Sequence, residues 1–99
     1  VVGTHTHIPT SDARVLPKGT GFMTDAGMTG DYDSVIGVKA DIAQERFTKK
    51  VNIRRMEPAD GEATLCGVLV KSDDKTGLTQ EIEPLIIGPH LRNQMPETF

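Results

Sequence analysis

The chain opens with VVGTHTH at residues 1–7, and this run determines which fold we expect. Two valines and a glycine are typical of the end of a buried strand, and His5 and His7 follow directly. In an extended backbone alternate side chains point the same way, so this spacing predicts two imidazoles on one face, roughly 6.5 to 7 Å apart. Neutral imidazole ligates zinc, iron, manganese and nickel, and Gly3 would let the backbone approach an ion closely. The sequence therefore predicts His5 and His7 as metal ligands, both on one ion or one on each of two.

Two histidines are an incomplete ligand set, because a catalytic metal site typically takes three or more protein ligands. The chain also begins at Val1, inside an apolar run, whereas a natural domain seldom starts in the middle of a buried strand. We therefore expect residues 1–99 to be the C-terminal fragment of a single longer domain, with the other ligands upstream.

Composition narrows the class of protein. The formal net charge of −3 does not attract a polyanion, so stable binding to duplex nucleic acid is not expected. Cys66 is the single cysteine, which excludes an internal disulfide and fits a reducing compartment such as the cytoplasm. Nowhere do about 20 apolar residues run together, so no membrane span is expected. A hydrophobic fraction of 36% predicts a thin core.

Local patterns predict a small α/β unit with a strand-rich second half. The expected elements are a brief extended segment (14–16), a strand (21–26), a loop with two glycines (27–34), a short helix (40–47) and two hairpin strands (62–71 and 78–87) around a turn at 72–77. Pro84 interrupts the second hairpin strand and is expected at a sheet edge or a bulge.

Most other polar residues are expected to have structural roles. Asp12 is close enough in sequence to accept a hydrogen bond from a histidine N–H, but turn formation is the role we favour for it. Turn or capping roles are likewise expected for Asp25, Asp31 and Asp33. We expect a solvated basic face at Lys49, Lys50, Arg54 and Arg55, a buried strand position for Cys66 and an exposed position for His90.

Two longer motifs carry a family resemblance. The first is GTHTHIPT (3–10) followed by DAR (12–14), and the second is TDAGMTG (24–30) followed by YDSVIG (32–37). Together they resemble the C-terminal part of the YmdB-type bacterial metallophosphoesterases, which are calcineurin-like enzymes associated with 2′,3′-cyclic-nucleotide 2′-phosphodiesterase activity.

The resemblance implies a four-layer α/β/β/α sandwich and a dinuclear metal site, usually of iron, with manganese or zinc as alternatives. His5 and His7 would each ligate one metal, and the remaining Asp, Glu, Asn and His ligands would precede Val1. The implied reaction is hydrolysis of a small phosphodiester or cyclic nucleotide by a metal-activated water. The fragment alone is then expected to be inactive, and a homo-oligomer is compatible with this interpretation.

Other interpretations stay open at this point. Amidohydrolase-like barrels also place His-x-His at a strand end, but they need roughly 200 further residues, far more than follow His7. Cupins place a glutamate shortly after such a motif, where this chain offers only Asp12. A non-enzymatic alternative is an interaction or oligomerisation module, in which the edge of the 62–87 hairpin pairs with a neighbour and the histidines are incidental.

Overall fold

The computed structural model describes residues 1–48 and 55–97. These residues form five regular elements: β1 (Arg14–Val15), β2 (Gly21–Phe22), α1 (Ala40–Thr48), β3 (Leu65–Ser72) and β4 (Thr79–Ile87). β1 pairs with β2 and β3 pairs with β4, both antiparallel, so the described part contains two two-stranded sheets and one helix. The predicted α/β class with a strand-rich second half is confirmed. Three residues of the predicted basic cluster, Lys49, Lys50 and Arg54, lie outside the described residues.

β1 and β2 form a short hairpin in the first half of the chain. Its turn is closed by the Leu16 N–H, which donates to Thr20 O at 2.7 Å, and the Arg14 guanidinium lies 5.0 Å from the centre of the Phe22 ring. The extended segment predicted at 14–16 is confirmed over Arg14–Val15.

The strand predicted at 21–26 is wrong in length, because β2 ends at Phe22. At Thr24 and Asp25, side chains rather than a neighbouring strand accept the backbone hydrogen bonds. The Thr24 N–H donates to Asp12 Oδ1 at 3.1 Å, and the Asp25 N–H donates to Thr10 Oγ1 at 2.9 Å. Local hydrogen bonding of this kind competes with sheet formation and ends the strand.

The N-terminal residues run beside the end of β2. Val2 and Met23 form an isolated parallel bridge, and the Gly3 N–H donates to Met23 O at 3.0 Å. A Cβ at Gly3 would overlap the Thr24 carbonyl oxygen. This glycine therefore permits a close approach between two backbone segments.

α1 confirms the predicted helix to within one residue. It buries Ile42 and Ala43, which are 2% and 5% exposed, on one face. Asp41 in the first turn and Arg46 in the last turn complement the helix dipole. Within the described residues, no helix is long and apolar enough to cross a bilayer.

β3 and β4 confirm the predicted hairpin, with bounds that differ by at most three residues. The ladder is continuous from the Leu65–Ile87 pair, and its single register shift lies between Lys71 and Ser72. Pro84 pairs with Val68 without a bulge. Because β4 is an edge strand among the described residues, a proline without a backbone N–H is tolerated there.

The core is as thin as the composition predicts. The buried hydrophobic residues of the described part are Met23, Ile42, Ala43, Cys66, Ile82 and Ile86. The radius of gyration is 16.9 Å and the extents are 56 × 24 × 17 Å, whereas a compact domain of similar length has a radius near 13 Å. The chain is therefore elongated.

Candidate functional site

His5 and His7 line the same cavity, which has a volume of about 530 Å³. They do not reach it in the way that the spacing predicts. Residues 5–8 form a bend, and His7 has a φ of 69°, in the left-handed region. The expectation of an extended backbone with both imidazoles on one strand face is therefore wrong, and the shared cavity has to be explained by other contacts.

Asp25 supplies one of these contacts. Its carboxylate Oδ2 accepts hydrogen bonds from Thr6 N at 2.6 Å and from Thr6 Oγ1 at 2.8 Å. Oδ1 accepts from the Gly27 N–H at 2.8 Å, and the whole residue is only 1% exposed. The Gly27 N–H and the Thr6 hydroxyl lower the pKa of Asp25 because they stabilise its charged form. Asp25 thus organises a turn, as predicted, and also fastens the residue between the two histidines.

The His7 ring is held by a backbone carbonyl. Its Nδ1 lies 2.7 Å from Ile36 O. A carbonyl oxygen can only accept, so Nδ1 must carry the proton, and in the neutral imidazole Nε2 keeps its lone pair. This is the arrangement that metal-ligating histidines commonly show, with the second ring nitrogen donating to a carbonyl or carboxylate.

The Ile36 carbonyl belongs to a tight hairpin turn. Val35 and Val38 exchange two backbone hydrogen bonds of 2.9 Å, and the central residues Ile36 and Gly37 have φ values of 47° and 92°. Two positive φ values in a two-residue loop define a type I′ turn, which favours Asn-Gly. A β-branched residue with positive φ is strained, and strain of this kind concentrates at functional sites. No composition pattern in the sequence indicated this turn.

Tyr32 connects the histidine segment to strand β3 of the β3–β4 hairpin. Its hydroxyl lies 3.2 Å from His7 O, 2.7 Å from Met28 O and 3.3 Å from Cys66 Sγ. Burial, followed by the hydrogen bond with Cys66, raises the pKa of Tyr32 to about 12. Cys66 is buried in β3, as expected.

The remaining candidates have the structural roles that the sequence favours. Asp12 accepts hydrogen bonds from the hydroxyls of Thr24 and Thr10, and these bonds lower its pKa because they stabilise the charged form. Asp31 accepts from the N–H groups of Asp33 and Gly61 at 2.8 and 2.9 Å. His90 is exposed.

The described residues offer donor atoms for part of a metal site. No group of three or more His, Cys, Asp or Glu side chains in residues 1–48 and 55–97 could hold a metal ion. Glu57 and Asp25 also line the cavity. The Glu57 carboxylate pairs with Lys39 Nζ at 3.1 Å, and both oxygens of Asp25 already accept backbone N–H groups. The donor set that fits a metal is thus the two imidazoles, with the His7 tautomer already suited to ligation through Nε2.

The chain is similar in sequence and in fold to several known proteins. The 2′,3′-cyclic-nucleotide 2′-phosphodiesterase of Bacillus subtilis (strain 168) is 45% identical over 88 residues, which cover 89% of this chain and 33% of that protein. The crystal structure of a novel phosphatase from Mycoplasma pneumoniae superposes with a TM-score of 0.80 at 34% identity, over 87% of this chain and 31% of that one. A hypothetical protein from Thermus thermophilus gives a TM-score of 0.77 at 37% identity, over 87% of this chain and 33% of that one.

The chain spans about a third of the length of the relatives that it matches. The model of the family described as YmdB-like protein matches residues 1–85, which include the whole candidate site. The chain therefore belongs to the YmdB-like family.

Proposed function

We propose that this chain is the C-terminal part of a longer dinuclear metallophosphoesterase that hydrolyses small phosphodiesters such as 2′,3′-cyclic nucleotides. His5 and His7 would be metal ligands, one for each ion. The observation that carries the proposal is the placement of both imidazoles on one cavity, with His7 Nδ1 bonded to the Ile36 carbonyl. The name of the Bacillus subtilis relative supports the phosphodiester substrate.

The protein's own residues would orient the ligands and shape the space beside them. The Ile36 carbonyl fixes the ring orientation and the tautomer of His7, so that Nε2 is available as a donor. The cavity of about 530 Å³ lies within the range of small-molecule sites, which are usually ~300–1,000 Å³. Met28, Val38 and Met56 give it an apolar wall against which the organic part of a diester would pack.

The metal pair, when bound, would lower the pKa of a water and stabilise negative charge on the phosphoryl oxygens. Imidazole donors suit iron, manganese and zinc. The other ligands and the group that protonates the leaving oxygen would come from the preceding part of the longer protein.

The test is substitution of each histidine in the longer protein, His5→Ala and His7→Ala. Metal content is measured by elemental analysis, and turnover is measured with bis(p-nitrophenyl) phosphate. We expect both variants to lose turnover by at least the ~10–100-fold typical of changes to outer-shell partners of a metal. His90→Ala is the matched control, because it removes an exposed histidine outside the cavity.

Near wild-type metal content and turnover for both cavity variants would refute the ligand assignment. The 99-residue chain alone is expected to show no turnover. Clear activity of that chain would contradict the expectation that the remaining ligands lie elsewhere.

A further inference from the structure

We propose that Asp25 is a positioning residue that fixes the orientation of His5 and His7 by holding Thr6 between them. The inference rests on the proposed function, since it assigns a role toward the same metal site. It concerns a residue that would not itself touch the metal, and it accounts for how a bent, exposed segment presents two side chains to one cavity.

The histidine segment needs such an anchor because no regular ladder supports it. Residues 5–8 form a bend, and His5, Thr6 and His7 are all exposed. Side chains on exposed loops lose little conformational freedom unless specific contacts hold them. Two hydrogen bonds from Thr6 to one Asp25 oxygen, at 2.6 and 2.8 Å, fix the backbone and the side chain of the central residue at once. Each histidine is therefore directly adjacent in sequence to a residue, Thr6, whose position is fixed.

Asp25 is itself immobilised, as an anchor must be. Its backbone exchanges hydrogen bonds with Thr10, from Thr10 N to Asp25 O at 3.0 Å and from Asp25 N to Thr10 Oγ1 at 2.9 Å. At 1% exposure, its side chain has little room to reorient. The acceptor that holds the histidine segment is therefore part of the packed interior.

The hydrogen bonds of the Asp25 carboxylate also favour a positioning role over metal ligation. Both oxygens accept backbone N–H groups, Oδ1 from Gly27 and Oδ2 from Thr6, and Oδ2 accepts the Thr6 hydroxyl as well. An asparagine has only one acceptor oxygen, so its NH₂ group would meet one of these N–H groups directly. Asp25→Asn therefore keeps the size of the side chain but breaks one of the two attachments.

Four variants of the longer protein test the proposal. Asp25→Asn breaks one attachment of the carboxylate. Thr6→Val removes the hydroxyl, which bonds to Asp25 and to the Ile8 backbone, and Thr6→Ser restores it. Asp73→Asn is the control for the loss of a carboxylate charge, since Asp73 Oδ1 alone accepts two backbone N–H groups, from Lys75 and Thr76, in the distant β3–β4 turn. The readouts are the metal dissociation constant from chelator competition, using manganese or iron alone, and the melting temperature.

We expect Asp25→Asn to raise the metal dissociation constant by about 10–100-fold, the effect typical of groups that orient metal ligands. Thr6→Val should raise it by a smaller factor, and Thr6→Ser should return it close to the wild-type value. Asp73→Asn removes a carboxylate charge but keeps the one oxygen that accepts both N–H groups, so it should leave the metal dissociation constant unchanged. At saturating metal, Asp25→Asn and Thr6→Val should change the KM for the diester less than they change kcat.

The outcomes separate this inference from the proposed function. If His5→Ala and His7→Ala lose metal while Asp25→Asn and Thr6→Val bind it normally, the positioning role is overturned and the ligand assignment stands. If the histidine variants also bind metal normally, the proposed function fails first. Should Asp25→Asn not fold, the Thr6→Val and Thr6→Ser pair decides the question, because each changes a single exposed side chain.

Discussion

Replacing Ile36 by glycine and, separately, by alanine should give the reverse of the usual order of stability. At most positions alanine is the more stabilising of the two, because glycine loses more backbone freedom on folding, by about 0.5–1 kcal/mol. Ile36, however, has a φ of 47° in the turn that holds His7. An L-residue in the left-handed region costs roughly 1–2 kcal/mol, and glycine avoids this cost.

The difference between the two variants isolates the backbone effect. Both remove the same isoleucine side chain, which is 51% exposed, so the loss of its packing cancels in the comparison. Subtracting the entropy of glycine from the relieved strain predicts that Ile36→Gly exceeds Ile36→Ala in free energy of unfolding by about 0.5–1 kcal/mol. Both variants keep the carbonyl that accepts from His7 Nδ1, so the tautomer should be unchanged.

Urea unfolding followed by circular dichroism measures the difference. The matched control is Gln44→Gly against Gln44→Ala, at an exposed position of α1. There the alanine variant should be more stable, by ~1 kcal/mol. If alanine is also the more stable residue at position 36, Ile36 is not strained and our account of the turn is refuted.

Two further predictions concern the backbone contact at Gly3 and the phenol of Tyr32. Gly3→Ala should destabilise the protein by about 1–3 kcal/mol, the usual cost of overpacking, because the new Cβ would overlap the Thr24 carbonyl oxygen. Gly67→Ala is the control in thermal unfolding, since a Cβ there meets nothing within 4 Å. Equal losses of stability in the two variants would contradict the reasoning. The ordinary tyrosine pKa is 10.0, and the pKa of Tyr32 in the folded protein is about 12. Between these two pH values the unfolded chain binds fewer protons than the folded protein, so the free energy of unfolding should fall as the pH rises. Tyr32→Phe should make the free energy of unfolding less dependent on pH there, and an unchanged slope would show that the phenol of Tyr32 is not protected.

The elements that the sequence predicts well are those with local signals. α1 has its apolar face and charged ends within nine residues, and the β3–β4 hairpin has its turn residues between two apolar runs. The length of β2 was mispredicted because the side chains of Asp12 and Thr10 take the hydrogen bonds that would have extended it. No pattern of residue types in a short window encodes such a competition.

The sequence predicted which residues belong to the candidate site but not their orientation, because that orientation depends on contacts between residues distant in sequence. The identity of His5 and His7 and their neighbouring motifs indicated the family, which the match over residues 1–85 confirms. Their orientation depends on Asp25, Tyr32 and Ile36, which are distant in sequence and individually look like turn or core residues. The expectation of an extended segment failed because it considered only the nearest neighbours of the histidines.

The separation of these contacts along the chain has a consequence for how the site forms. The bonds from Thr6 to Asp25, from Tyr32 to His7 and from His7 to Ile36 close loops of 19, 25 and 29 positions. Closing such loops costs entropy, which isolated hydrogen bonds do not offset, so the orientation of the histidines arises only as the surrounding chain folds. An unfolded chain keeps the His-x-His spacing without the geometry. Any ligand that recognises this geometry will therefore shift the folding equilibrium toward the native state, and heat stability measured against ligand concentration becomes a direct reading of its affinity.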